Sequence, residues 1–139
     1  MKIDAELLLK MANDARQNSY VPYSHFSVGA ALLLKDGTII TGCNIENASF
    51  GPTICAERCA IFKAVSEGKK EFAAIAVAGS PEGEDISQYS YPCGVCRQVM
   101  REFTNPDEFI VYVLGPEGAY IEKKLSEILP YSFGPENLQ

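Results

Sequence analysis

Two short cysteine motifs constrain this chain more than anything else in it. They are Cys55-Ala56-Glu57 and Pro92-Cys93-Gly94-Val95-Cys96, far apart in sequence. Their three thiolates can hold one Zn²⁺ only if the fold brings both segments to one point. Such a site leaves the fourth tetrahedral position open to water, as a catalytic zinc does; a structural zinc is normally closed by four protein ligands. Glu57, two residues after the first thiol, is placed to move protons on and off that water.

The spacing carries further expectations. Both motifs fall where a loop hands over to a helix, and the positive end of a helix favours thiolate over thiol. Cys93 and Cys96 are three apart, so one helical turn presents both to one ion. Pro92 suits a helix entry, and Gly94 lets the backbone turn closely. Three thiolates on Zn²⁺ leave a net charge of −1, which works against activating water. Arg58 and Arg97 each directly follow a motif element and are expected to offset that charge.

The rest of the chain reads as alternating strands and helices. Residues 4–18 repeat apolar positions at helical steps, with Asp4 as cap. Extended runs follow at 26–34 and 38–43, joined at Asp36-Gly37, which signals a type I′ hairpin. The run from Ala30 to Leu34 is apolar on both sides, as in a strand covered on both faces. A polar loop over 44–54 leads to a helix over 55–67, ended by Gly68. A strand at 72–78, a loop over 79–91, a helix over 94–103 and a strand at 108–114 come next. Residues 115–118 turn, Tyr120-Ile121 suggests a short strand, and a short helix lies within 121–129. The tail from Pro130 shows no regular pattern. This order predicts one layered α/β domain over residues 1–139, with helices on both faces of the sheet.

Composition narrows the class. The 139 residues, 47% hydrophobic, suffice for a real core. No apolar run approaches the roughly 20 residues of a membrane span. The acidic start, Met1-Lys2-Ile3-Asp4-Ala5-Glu6, is unlike a signal peptide, so a cytoplasmic protein with reduced thiols is expected. A net charge of −6 without a basic patch argues against nucleic acid and for a small, neutral substrate.

Other readings of the cysteines stay open at this level. A lone Cys-x-x-Cys can be redox-active, although that leaves Cys55-Ala56-Glu57 without a purpose. Cys59, one turn after Cys55, could close the metal site as a fourth ligand; otherwise it is a buried small side chain, as Cys43 is expected to be. His25, the sole histidine, reads as a loop residue. By themselves Phe26 and Phe133 read as core or interface aromatics, Asn44 and Glu46 as solvated loop residues, and Arg58 as a surface arginine.

Taken together and in order, these segments resemble the cytidine deaminases of the small homotetrameric type. The zinc deaminases pair a His/Cys-x-Glu motif with Pro-Cys-x-x-Cys. A cysteine as first ligand is similar to the members acting on free nucleosides. Tyr23-Ser24-His25-Phe26-Ser27-Val28-Gly29-Ala30-Ala31 resembles the family's first-strand signature, and Gly42-Cys43-Asn44-Ile45-Glu46-Asn47-Ala48 its nucleoside-binding loop. Leu129-Pro130-Tyr131-Ser132-Phe133-Gly134-Pro135-Glu136-Asn137-Leu138 resembles its C-terminal motif. The resemblance implies a three-layer α/β/α fold with a mixed, mostly five-stranded sheet. It implies one Zn²⁺ per chain on Cys55, Cys93 and Cys96, with Glu57 as proton shuttle and Arg58 balancing charge.

Phe26 would then pack against the pyrimidine, the Ala56 backbone would orient the base edge, and Asn44 and Glu46 would bind the ribose. Phe133 would stack on the base from a neighbouring subunit of a homotetramer with shared active sites. The implied reaction is deamination of cytidine and 2′-deoxycytidine to uridine and 2′-deoxyuridine, a step of pyrimidine salvage, with no nucleic acid or membrane partner. Phe50 stands where family members often carry tyrosine, and keeps the ring without its hydroxyl.

Overall fold

A computed structural model describes all residues, 1–139. Its element order is α1 (Ala5–Ala15), β1 (Phe26–Leu34), β2 (Ile39–Cys43), α2 (Ala56–Ser66), β3 (Phe72–Pro81), α3 (Gly94–Phe103), β4 (Ile110–Leu114), β5 (Tyr120–Lys124) and α4 (Leu125–Ile128). The strands form one five-stranded sheet in the order β2-β1-β3-β4-β5. Only the β3–β4 pair is parallel, so the sheet is mixed. Helices cover both faces, which gives the three-layer α/β/α architecture.

Each face has its own core. On one side, Leu8, Leu9 and Ala12 of α1 pack against Ala31, Leu33, Ala74, Ala76, Ala78 and Tyr112. On the other, Ala56, Ala60, Ile61 and Ala64 of α2 and Cys96 and Met100 of α3 pack on Ala30, Leu32, Ile75, Val111 and Val113. Fully burying a side chain such as Ile61 or Met100 contributes about 1.5–3 kcal/mol. The alternation along β1 sends Ala30 and Leu32 to one core and Ala31 and Leu33 to the other, as a doubly covered strand requires.

Small residues set how closely the helices approach. A side chain on Gly29 would meet the carbonyl oxygen of Ala12 at 1.9 Å, and one on Gly42 would meet the Ala56 oxygen and the Ala60 nitrogen at 2.6 Å. The Gly42 contact seats the first turns of α2 directly on β2, and it is this contact that fixes where Cys55 begins. The far end of α2 stops on Gly68 at φ +82°. There the N–H groups of Gly68 and Lys69 donate to Val65 and Ala64 carbonyls at 2.9 Å each, a Schellman closure.

Several boundaries differ from the sequence expectations, each for a local reason. The first helix gives way to a 3₁₀ turn over Arg16–Asn18. The β1–β2 connection is not a type I′ turn: only Gly37 has positive φ, and Gly37 N–H donates to the Leu34 carbonyl while Leu34 N–H donates to Thr38. A three-residue loop with a left-handed glycine results. Strand β3 runs through Gly79-Ser80-Pro81, because Phe26 and Ser27 continue to pair with Pro81 and Ser80. The short strand suggested at Tyr120-Ile121 extends to Lys124 as the edge strand β5, and the helix expected within 121–129 is the four-residue α4. The tail ends in a 3₁₀ turn over Pro135–Leu138. No helix is long and apolar enough to cross a membrane.

Candidate metal and catalytic site

Cys55 and Cys93 are the N-cap residues of α2 and α3, both extended in backbone, and neither sulfur makes a capping hydrogen bond. Cys96 lies in the first turn of α3 and is fully buried. The three sulfurs lie within 4.8 Å of one another, and those of Cys93 and Cys96 are 3.6 Å apart. Tetrahedral Zn–S bonds of about 2.3 Å put sulfurs roughly 3.8 Å apart, so the trio fits this ion. Cys59 and His25 stand outside the cluster. Cys59 instead faces β2, with its Cβ against Gly42, and His25 is an exposed loop residue 3.6 Å from Glu82. The donor set is therefore three sulfurs, with no fourth protein ligand beside them.

Arg58 Nη2 donates to Cys55 Sγ at 3.1 Å, which places a guanidinium on the anionic trio as expected. The Cys55 thiol is drawn down to about 5 by its hydrogen bond with Cys96, and Arg58 adds to this against the opposing effect of burial. Cys96 is pushed up, because it is the group that keeps the proton in that bond and because it is buried. Arg58 is held more firmly protonated by its bond to Cys55. Glu57 follows in the first turn of α2 and is 4% exposed. Burial raises its carboxyl to about 7, although its own backbone N–H pulls the other way. In the metal-free site it therefore changes charge near neutrality.

Arg97 does something else. Its Nε donates to the Pro92 carbonyl at 2.7 Å and its Nη1 to the Ile128 carbonyl at 2.6 Å. The expectation that it balances the thiolates is corrected: one residue after Cys96 is a rotation of about 100° around the helix, away from the sulfurs. It anchors the segment that delivers Cys93 to the end of α4.

The remaining expected residues lie on β1, at the start of α2, on the loop after β2 and on the tail. Phe26 opens β1 with its ring over Gly79, where a Cβ would stand 3.1 Å from it. Ala56 is fully buried beside Glu57. The Asn44 side chain bridges β1, its Oδ1 accepting from Val28 N–H and its Nδ2 donating to the Phe26 carbonyl, both at 2.9 Å. The Glu46 carboxylate accepts from the N–H groups of Tyr23 and Ser24 at 3.1 Å and from the Ser24 hydroxyl. The Ser24 hydroxyl is the main reason its carboxyl sits below the usual range. Glu46 also lines a cavity of about 270 Å³ with Tyr23, Ser24, Phe50 and Thr53. Phe133 is 58% exposed on the tail. The sequence assigns no role to Tyr23 and Ser24, although both fall in the segment that resembles the family's first-strand signature, and it does not mark Thr53.

Residues 2–113 match the family model of the cytidine and deoxycytidylate deaminase zinc-binding region. A cytidine deaminase of Halalkalibacterium halodurans is 49% identical over 136 residues, 98% of each chain. The structure superposes on a cytidine deaminase from Burkholderia pseudomallei with a TM-score of 0.84 and 41% identity, covering 94% of this chain and all of that one. A Mycobacterium tuberculosis cytidine deaminase gives a TM-score of 0.79 at 36% identity, covering 96% of this chain and 99% of that one. A zinc-binding deaminase enzyme is the class that the fold and the thiol trio define. The chain belongs to the cytidine and deoxycytidylate deaminase family.

Two outcomes follow from the geometry. Because the folded-state carboxyl of Glu57 lies above its ordinary 4.5, its contribution to the stability of the metal-free protein is fully present below that pH and is lost as pH rises toward about 7. Metal-free Glu57→Gln, which cannot ionise, should match the wild type near pH 4.5 and exceed it by roughly 3 kcal/mol above pH 7 in urea titrations. Equal stability at both pH values would show that the carboxyl is not desolvated. Arg97→Ala should release zinc to a chelator at least about tenfold faster than wild type, since contacts that hold a metal's ligands in place commonly change its affinity 10–100-fold. An unchanged release rate would mean that the Pro92 anchor does not hold the site together.

Proposed function

We propose that the protein is a cytidine deaminase that hydrolyses cytidine and 2′-deoxycytidine to uridine and 2′-deoxyuridine, releasing ammonia as a step of pyrimidine salvage. One catalytic domain spans residues 1–139 and works in the cytoplasm as a homotetramer. The observation that carries this reading is the clustered thiol trio with buried Glu57 beside it and no fourth protein ligand.

Cys55, Cys93 and Cys96 would hold Zn²⁺, which would supply the Lewis acidity that makes water a nucleophile near neutral pH. Glu57 accepts the proton from the water that attacks C4 of the pyrimidine. It passes that proton to N3, then takes the second proton from the new C4 hydroxyl and delivers it to the departing 4-amino group, so that the C4–N bond breaks, ammonia leaves and the carbonyl of uridine forms. Arg58 offsets the excess negative charge of three thiolates through its contact with Cys55.

The base lies against Phe26, its edge aligned by the Ala56 backbone. Asn44 and Glu46 hold the ribose with the capacity that their own loop leaves them. A carboxylate accepts at about four positions, of which Glu46 uses three; the Asn44 amide has one N–H and one lone pair to spare. A site built to bond sugar hydroxyls rejects free cytosine, because its polar groups would go unpaired. Phe50 lines the cavity beside Glu46, so its ring can bound the sugar while offering no hydroxyl. Phe133, exposed on its own chain, stacks on the base in a neighbouring subunit. The chain's net charge of −6 favours a neutral nucleoside over a phosphorylated one.

The change in ultraviolet absorbance on converting cytidine to uridine tests the reading directly. Wild type should turn over cytidine with about one zinc per chain. Glu57→Gln should keep its zinc and lose at least the 10²–10⁴-fold that a positioned acid–base group contributes. Wild-type turnover in that variant would remove the proton-shuttle role.

A further inference from the structure

The C-terminal tail is fastened to the metal-binding helix by a polar cluster that lies outside the catalytic residues described above. Arg101, on α3, is a charged residue whose side chain is only 9% exposed. Its Nε donates to the Ser132 hydroxyl at 2.8 Å, and its Nη2 pairs with the Glu136 carboxylate. Gly134 lies flat on the guanidinium: a Cβ there would stand 2.3 Å from Cζ. One turn earlier on α3, Gln98 Nε2 donates to the Phe133 carbonyl at 2.9 Å. Residues 132, 133, 134 and 136 are therefore all gripped by one helix.

The grip falls on polar and main-chain atoms, and it leaves the aromatic side chains outside. Phe133 is 58% exposed, and Tyr131, held at φ +53°, is fully exposed. Burying an arginine is costly unless it is fully partnered, and ordering a tail costs conformational entropy. Spending both to present a ring to water has no advantage within one chain. The helix that does the gripping is the one that carries Cys93 and Cys96, so the direction of the tail is registered to the metal site.

We propose that Arg101, with Gln98 and Gly134, is a positioning residue that aims Phe133 into the substrate site of a second copy of this chain. The proposal rests on the deaminase reading given above. Arg101 thus serves a site on another subunit, while Cys93 and Cys96 on the same helix serve their own.

Arg101→Ala should keep its zinc and its assembly and raise the KM for cytidine about tenfold, with a smaller change in kcat. Gly134→Ala, whose methyl displaces the guanidinium, should do the same. Glu136→Gln, at an exposed position that leaves Arg101 in place, should shift KM in the same direction by less, and serves if Arg101→Ala does not fold. The decisive arm mixes subunits. Arg101→Ala chains have intact metal sites and misaimed tails; Glu57→Gln chains have dead sites and intact tails. Co-refolded mixtures should restore a near-wild-type KM, because dead subunits lend their tails to live sites. A wild-type KM in all three variants would overturn the proposal. So would a raised KM that mixing does not correct, or dissociation of the Arg101→Ala assembly, which would make the cluster a means of assembly alone. If wild type itself fails to deaminate cytidine, the deaminase reading fails, whatever the tail does.

Discussion

The convergence of two helix N-termini on three sulfurs is the constraint on which the rest of this structure depends. Cys55 and Cys93 cap α2 and α3, and Cys96 sits in the first turn of α3. For both helices to start at one point they must lie side by side on one face of the sheet. That requires close seating, which Gly42 permits under α2. It also requires that Pro92 be held, which Arg97 does from within α3. The strand order that puts β1 between β2 and β3 then brings Phe26, Asn44 and the Glu46 loop to the same end of the molecule.

Electrostatics explain why the first turn of α2 reads Cys-Ala-Glu-Arg. Three thiolates on one divalent cation are over-charged, and the guanidinium of Arg58 reaches back one turn to Cys55. Glu57 is buried in the same turn, where desolvation outweighs the pull of its own backbone N–H and lifts its carboxyl to about 7 in the metal-free site. A carboxyl in that state can both take and give a proton near neutral pH.

Much of this was legible in the sequence, and the exceptions have physical causes. Apolar runs at 26–34 and 72–78 mark the central strands because both their faces are buried. β5 was legible only in part, at Tyr120-Ile121, because Tyr-Ile-Glu-Lys-Lys is an edge strand, exposed and charged as edges tend to be. Arg58 and Arg97 look alike as neighbours of a ligand, and only helical phase separates the one that meets sulfur from the one that meets carbonyls. Asn44 and Glu46 could be picked out as polar loop residues, but their bonds to β1 and to Tyr23 and Ser24 are long-range facts of the fold. Cys59 shared a helix face with Cys55 on paper; the seating of α2 turns it toward β2.

The central claim is an open three-thiolate zinc site, and X-ray absorption at the zinc edge of the holoenzyme tests it most directly. The account predicts three sulfur scatterers at about 2.3 Å and one oxygen or nitrogen at about 2.0–2.2 Å. Four sulfurs around the metal would close the position that water must occupy and contradict the account.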